Sequence, residues 1–201
     1  MKKTLRSLYI ALIFLFLYAP ILTLIVLSFN ASKTRAKWGG FTLNWYRSMF
    51  RNEAILQALS TTLLIALLSA LIATVIGTVA CISMQAMKRR NRAIIMGITN
   101  IPMLNADIVT GISLMLLFIT LGFRFGFMTI LLSHITFNIP YVILSVMPRM
   151  KQLNPSIYEA ALDLGASHIR AFFKVVFPDI LPGVLSGFLM AFTMSLDDFI
   201  I

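Results

Sequence analysis

The chain has 201 residues, of which 59% are hydrophobic and only 12% are charged. A soluble domain carries about 25% charged residues, so this composition excludes an ordinary soluble enzyme and predicts a chain that lies mostly in lipid. Lysine and arginine outnumber aspartate and glutamate by 17 to 7, which gives a formal net charge of +10. Because the basic residues lie between apolar segments, we interpret them as flanking charges of membrane helices and not as a nucleic-acid surface.

Five segments are long and apolar enough to cross a hydrocarbon core of ~30 Å as helices. The first follows Lys2, Lys3 and Arg6, but its apolar stretch is too long for a cleaved signal peptide and is interrupted by Pro20. The pattern predicts an all-α polytopic bundle that forms a single transmembrane domain over residues 1–201. The predicted spans are 8–29, 61–84, 93–121, 127–147 and 181–201.

Small residues recur at helical spacing on one face of the second and fifth spans. Such stripes let helix backbones approach closely in lipid, so we predict that these helices pack against one another. The only cysteine, Cys81, lies in the first stripe and is interpreted as a small packing residue. The stripes are Ala66, Ala70, Ala73, Gly77 and Cys81, and then Gly183, Gly187, Ala191 and Ser195.

The orientation of the bundle is predicted from its basic residues, which accumulate on the cytoplasmic side of short loops. The run Lys88-Arg89-Arg90-Asn91-Arg92 is short and lies between two spans. It favours a cytoplasmic N-terminus and places the loop 148–180 in the cytoplasm. Trp38, Trp45 and Tyr46, in the first outer loop, are typical of side chains that anchor at the membrane interface.

Three carboxylates fall within predicted spans, where each costs about 2.5–3.5 kcal/mol to insert and is by default a candidate functional residue. At a rise of 1.5 Å per residue, Asp107, Asp197 and His134 lie at one depth, about 20–24 Å from the inner edge. His134, Asn138, Tyr141 and Ser145 form a polar stripe on the fourth span. The predicted solute pathway comprises Asp107, His134, Asn138, Tyr141, Asp197 and Asp198.

Two alternatives remain open for these carboxylates. Pro102 is expected to break the third helix, so Asn105 or Asp107 could instead cap the restarted half-helix. Asp197 and Asp198 could lie in an outer turn that contacts water. With no basic residue in the same spans, a pathway role would suit a cationic solute.

The loop 148–180 is predicted to form two short helices. Ser156 and Glu159 fit a capping box, and Asn154 followed by Pro155 is an alternative start. The first helix would run to Leu164 and stop at Gly165. Ser167 would cap a second helix that runs to about Val176 and ends before Pro178.

This loop resembles the EAA loop of type I ABC importer permeases. The resemblance rests on Glu159-Ala160-Ala161, Gly165 and the apolar Val175-Val176-Phe177-Pro178, which departs mildly from the family's Ile-x-Leu-Pro. It implies a coupling helix seated on an ATPase subunit, with the coupling residues Glu159, Ala160, Ala161, Gly165 and Ser167.

The chain has no phosphate-binding loop of the Gly-x-x-x-x-Gly-Lys-Ser/Thr type. We therefore expect ATP and Mg²⁺ to be bound by a separate ATPase, with no cofactor in this chain. We also predict no catalytic residues and no metal ligands, so the chain is expected to be a transport subunit and not an enzyme.

Further strings resemble the second permease subunit of spermidine/putrescine importers: Asp107-Ile108-Val109, Ser133-His134-Ile135-Thr136-Phe137, Asp163-Leu164-Gly165-Ala166-Ser167 and Ser195-Leu196-Asp197-Asp198. The resemblance implies polyamine uptake by alternating access in the inner membrane of a bacterium. It also implies a second permease, two ATPase copies and an external solute-binding protein as partners. Family members have six spans, so a sixth helix is expected beyond this sequence.

Three other functions stay open at this point. A permease of the same family could import iron, thiamine or a phosphonate. A secondary transporter or channel driven by an ion gradient could use the intramembrane carboxylates as relays. A membrane scaffold without transport activity is the third.

Overall fold

The computed structural model describes residues 2–34, 37–105 and 107–197. Within these ranges every extended regular element is helical, and the single β-bridge joins Asn30 to Phe41. The prediction of an all-α fold is confirmed. The helices are α1 (Lys2–Ser28), α2 (Asn44–Arg51), α3 (Glu53–Gln85), α4 (Arg89–Leu104), α5 (Asp107–Thr120), α6 (Phe127–Gln152), α7 (Pro155–Asp163), α8 (His168–Ala171) and α9 (Phe177–Asp197), with a π-helical turn, Phe172–Val176, between α8 and α9.

Four helices of the described residues are long and apolar enough to cross a membrane. They correspond to the first, second, fourth and fifth predicted spans. The third predicted span is divided into α4 and α5, which are bent by 105° and make a fifth crossing only if the bent pair is counted as one. The qualifying segments are Leu5–Ser28, Glu53–Gln85, Phe127–Gln152 and His168–Asp197.

The chain divides into two compact units, residues 1–59 and 60–201. In the first unit, the span of α1 buries none of its side chains, as expected for a helix that faces lipid or another subunit. The loop after α1 is organised by Asn30, which is only 2% exposed. Its Oδ1 accepts the backbone N–H groups of Ser32 and Gly39 at 3.1 and 2.7 Å, and its Nδ2 donates to the carbonyl of Lys37 at 2.8 Å.

In the second unit, α3 and α9 both pack against α6. A β-carbon added at Gly77 would lie 2.8 Å from Cγ1 of Val142, and one at Gly187 would lie 3.3 Å from the Cα of the same valine. Every residue of the two predicted stripes in α3 and α9 is buried, so the prediction that they are packing faces is confirmed. The sequence did not indicate that α6 lies against both of them.

The break in the third span lies three residues beyond Pro102. Pro102 itself is inside α4, which ends at Leu104, and Asn105 has extended backbone angles (φ −86°, ψ 152°). Proline has no backbone N–H, so the carbonyl that it leaves without a hydrogen bond belongs to the residue four positions earlier, in the preceding turn. The helix therefore continues for a short distance past Pro102 before it ends.

Two predicted boundaries near the cytoplasmic loop are wrong. The loop was predicted to begin at Pro148, but α6 continues through Pro148 to Gln152. The second short helix was predicted to end before Pro178, but α8 passes through the π turn into α9 without interruption. The N–H of Phe177 bonds to the carbonyl of Phe172, five residues earlier, and this wider turn makes room for the ring of Pro178 beside the preceding carbonyls.

Candidate functional site

The helices α7 and α8 form a hairpin between the two spans α6 and α9. Asn154 caps α7, because its Oδ1 accepts the backbone N–H of Ser156 at 3.1 Å and Pro155 occupies the first turn. The predicted capping box of Ser156 and Glu159 is therefore wrong, since the helix begins one residue earlier and Ser156 lies inside it. The alternative start at Asn154 is confirmed.

Gly165 ends α7 in a Schellman motif. Its φ of +83° is in the left-handed region, where a side chain adds strain. Two backbone bonds close the motif, from Gly165 N–H to the carbonyl of Leu162 at 2.8 Å and from Ala166 N–H to that of Ala161 at 3.1 Å. The predicted stop at Gly165 is confirmed, and it fixes the angle at which the chain leaves α7.

Ser167 caps α8 as predicted, because its Oγ accepts the backbone N–H of Arg170 at 3.4 Å. A second link holds the hairpin closed: the hydroxyl of Tyr158 and Nδ1 of His168 are 3.1 Å apart. The caps, the glycine turn and this side-chain bond make α7 and α8 one rigid projection.

The hairpin exposes large apolar side chains. Leu164 is 89% exposed and Ile169 is 73% exposed. Glu159 and Ala160 are exposed on α7, and Ala161 is half-buried. Exposed apolar groups are typical of protein interaction sites, so the hairpin has a property expected of a docking element.

The polar stripe of α6 forms a buried network with α3 and α9. Nδ1 of His134 lies 2.7 Å from Oγ of Ser195, and that hydroxyl lies 3.1 Å from Oγ of Ser69. Nδ2 of Asn138 donates to the same Ser69 oxygen at 3.4 Å. All four residues are at most 6% exposed. These bonds satisfy polar groups where lipid offers none, and they fix the relative positions of the three helices.

The other pathway candidates are placed separately. Tyr141 is half-buried on α6, with its ring 6.0 Å from that of Phe137. Asp107 is the first residue of α5, and Asp197 is the exposed last residue of α9. Asp198 lies outside the described residues. The contact with Ser195 places His134 at a level two residues before Asp197, and the common membrane depth of Asp107, His134 and Asp197 stays a prediction.

Two buried oxygens flank the break between α4 and α5. Neither Oδ1 of Asn100 nor Oγ1 of Thr110 has a hydrogen-bond partner among the described residues. A buried acceptor without a donor is unfavourable by about 1–3 kcal/mol, so this segment offers unused acceptor capacity.

A cavity of about 320 Å³ lies between α5 and α6 and is lined mainly by apolar side chains, among them Met115, Phe118 and Phe125. Gly111 and Thr129 also line it. A cavity of this composition suits an apolar group and gives little compensation to an ammonium that leaves water.

The comparison with known families decides the class of the protein. A family model described as "binding-protein-dependent transport system inner membrane component" matches residues 73–201, which include the C-terminal part of α3 and everything from α4 onwards. The chain belongs to this family. It is a type I ABC importer permease, a multi-pass membrane protein and a transport subunit without enzymatic activity of its own. Permeases of this family function in general with an ATPase, a binding protein and a second permease.

Individual relatives resemble the chain over nearly its whole length. It is 38% identical over 199 residues to the spermidine/putrescine transport system permease protein PotC of Escherichia coli (strain K12), covering 99% of this chain and 75% of that protein. Identity is 38% over 195 residues to the putrescine transport system permease protein PotI of the same organism, covering 94% and 69%. The PotC homolog of Mycoplasma genitalium is 33% identical over 216 residues, covering 100% of this chain and 75% of the relative.

Proposed function

We propose that this chain is one of two permease subunits of an ATP-driven importer that takes polyamines of the spermidine and putrescine type into a bacterial cell by alternating access. The observation that carries the proposal is the identity of 38% over 99% of the chain to a spermidine/putrescine permease. Carboxylates in apolar segments add chemical support, because a polycation needs negative groups along its route.

The proposed orientation places the N-terminus in the cytoplasm. The basic run 88–92, which forms the start of α4, then lies on the cytoplasmic side, as the positive-inside rule favours. The hairpin of α7 and α8 projects from the same side, where two ATPase copies would bind ATP and Mg²⁺. The first outer loop, ordered around Asn30, would face the external solute-binding protein.

Coupling is assigned to the hairpin, with Glu159, Ala160, Ala161, Gly165 and Ser167 as its key residues. The exposed apolar side chains give an ATPase a surface to bind. Because α8 continues through the π turn into α9, a displacement of the hairpin would move a membrane helix directly, with no flexible loop between them.

The solute route is assigned to Asp107, Asp197 and Asp198. A carboxylate in an apolar segment is by default a candidate functional group, and a passing ammonium group of the solute would be a suitable charge partner for it. The unpaired oxygens of Asn100 and Thr110 flank the helix break that precedes Asp107 and could accept hydrogen bonds from the same ammonium. Tyr141 stays a candidate on the route, whereas the network around His134 and Asn138 favours a packing role for those two residues.

The test is uptake of radiolabelled spermidine and putrescine by proteoliposomes that contain the whole importer, ATP and the binding protein. Asp107→Asn and the double variant Asp197→Asn/Asp198→Asn keep side-chain size and remove charge, and each should reduce uptake without loss of assembly. Glu53→Gln, which removes an exposed carboxylate from the first turn of α3, is the matched control and should transport normally.

Each competing role gives a distinct outcome in this assay. If Asp107 only caps α5, asparagine replaces it well and uptake stays at the wild-type rate. Wild-type uptake in both variants would exclude the carboxylate route. Uptake that persists without ATP and stops when the proton gradient collapses would refute the ATP-driven importer itself.

A further inference from the structure

A cavity of about 630 Å³ lies where the ends of α3, α4 and α6 meet the hairpin and the first turn of α9. We call it the hairpin-base cavity. Its volume is within the range of small-molecule sites, about 300–1,000 Å³. It differs from the cavity between α5 and α6 because charged and apolar groups line it together. Arg92, Lys151 and Asp179 line it, and so do Ile82, Met150 and Val176.

The polar part of this lining has an excess of positive charge. Arg92 is half-buried, and its Nη1 donates to Oε1 of Gln85 at 3.3 Å, a neutral acceptor. No ion pair within the described ranges involves Arg92 or Lys151, and Asp179 is the only carboxylate in the lining. Two cations against one carboxylate leave this space with a net positive charge, which favours an anion. A phosphate oxygen is a good acceptor for both types of basic side chain.

The apolar part of the lining indicates what the anion is attached to. Ile82, Met150 and Val176 are side chains from the ends of the spanning helices α3 and α6 and from the π turn, so the cavity lies where apolar helix surface gives way to polar loops. In the membrane orientation proposed above, this boundary would lie at the level of the lipid headgroups. The neighbouring run that begins at Lys88 lies at the same end of α3, and such basic runs attract anionic lipid surfaces.

We propose that the hairpin-base cavity binds an anionic phospholipid. The phosphate diester would accept hydrogen bonds from Arg92 and Lys151, and the glycerol and first acyl carbons would cover the apolar lining. The proposal rests on the membrane orientation proposed above.

A lipid at this position would join the hairpin to the membrane helices. Ile157 and Tyr158 of α7 line one side of the cavity, and residues of α3 and α6 line the other. A bound headgroup would fill the space between them and limit the independent motion of the hairpin. Coupling of ATP hydrolysis to transport should therefore depend on anionic lipid.

The experiment measures lipid retention by the assembled importer. The complex is purified from nanodiscs that contain phosphatidylglycerol and phosphatidylcholine in equal amounts, and bound lipid is identified by native mass spectrometry. Arg92→Gln/Lys151→Gln should lower the retention of phosphatidylglycerol at least about tenfold, because two charge-assisted hydrogen bonds are lost. Arg89→Gln/Arg90→Gln removes the same number of charges from the basic run that contains Arg92, but from residues outside the cavity lining, and should retain the lipid.

Several outcomes would overturn the proposal. Equal retention in the two double variants would show that bulk charge, and not the cavity, holds the lipid. Preference for phosphatidylcholine, or an assembled complex without bound lipid, would also contradict it. Displacement of the lipid by inorganic phosphate or glycerophosphoglycerol at millimolar concentration would identify a soluble phosphate compound as the ligand. Retention is measured without any polyamine, so a failure of the polyamine assignment leaves this result unaffected.

Discussion

The contact between α3 and α6 at Gly77 is close enough that one added methyl group tests it. A β-carbon at Gly77 would lie 2.8 Å from Cγ1 and 2.9 Å from Cβ of Val142. Val142 is fully buried, and its β-branched side chain has essentially one rotamer in a helix. Its Cβ is fixed by the backbone in any rotamer, so α3 must move away from α6 to accept alanine.

Two opposing effects set the size of the change in stability. Overpacking a close contact costs about 1–3 kcal/mol. Alanine in a helix interior is favoured over glycine by about 0.8–1.0 kcal/mol. Because the clash involves a backbone-anchored atom, the first effect should be larger, and we expect Gly77→Ala to lower the free energy of unfolding by roughly 1–2 kcal/mol.

The only cysteine of the chain provides the assay. Cys81 lies one turn beyond Gly77 on α3, is fully buried and places its Sγ 3.6 Å from the carbonyl oxygen of Ile143 on α6. A maleimide that fluoresces on reaction with a thiol therefore reports separation of these two helices during heating. The Gly77→Ala protein should react at a lower temperature than the wild type.

Gly97→Ala is the matched control. Gly97 is also inside a helix, α4, but nothing lies within 4 Å of an added β-carbon, so alanine should leave stability unchanged or raise it by up to about 1 kcal/mol. If Gly77→Ala melted at the same temperature as Gly97→Ala or higher, the close approach of α3 to α6 would be refuted.

Three further predictions concern the hairpin, the buried network and the orientation. Gly165→Val should destabilise the turn locally by about 1–3 kcal/mol. It should reduce transport-coupled ATPase activity without changing the affinity of the binding protein for polyamine. Gly165→Asn should keep most of this ATPase activity, and equal activity in the two variants would contradict the turn assignment. Ser195→Ala removes the hydroxyl 2.7 Å from Nδ1 of His134 and should lower stability in the thiol assay by about 1–3 kcal/mol, while the exposed Ser83→Ala should not; the reverse order would contradict the network. Cysteines at Asn91 and Lys37 should react with an impermeant label only from the cytoplasmic and only from the outer side, respectively, and reversed labelling would invert the proposed topology.

The spans and the hairpin could be predicted because their signals are local. A run of about 20 apolar residues has the length that a helix needs to cross the membrane, so it predicts a membrane helix. In the hairpin, Asn154, Gly165 and Ser167 each act on a backbone group within three residues. The two boundary errors both involve proline. In a membrane bundle, neighbouring helices and local π adjustments satisfy the groups that a proline frees, so Pro148 and Pro178 did not end their helices.

The buried network could not be predicted as a network. Ser69 and Ser195 are 126 positions apart, and their contact depends on how α3 and α9 cross. The polar stripe of α6 was visible from its spacing, but the stripe alone does not distinguish a solute pathway from a packed interface. The same residue spacing occurs in a solute pathway and in a packed helix interface. The hydrogen-bond partners of His134 and Asn138 are what favour a packed interface here.

The π turn Phe172–Val176 holds one residue more than an α-helical turn at the same place. Because an α-helix rotates by about 100° per residue, this one residue determines the orientation of the hairpin about the axis of α9. Deleting a single residue within the turn would restore the α-helical register and swing the docking surface by roughly a quarter of a revolution, with every side chain of the hairpin retained. The orientation of the hairpin therefore depends more on the number of residues in the turn than on their type. A deletion or insertion in this turn should reduce transport far more than most substitutions there.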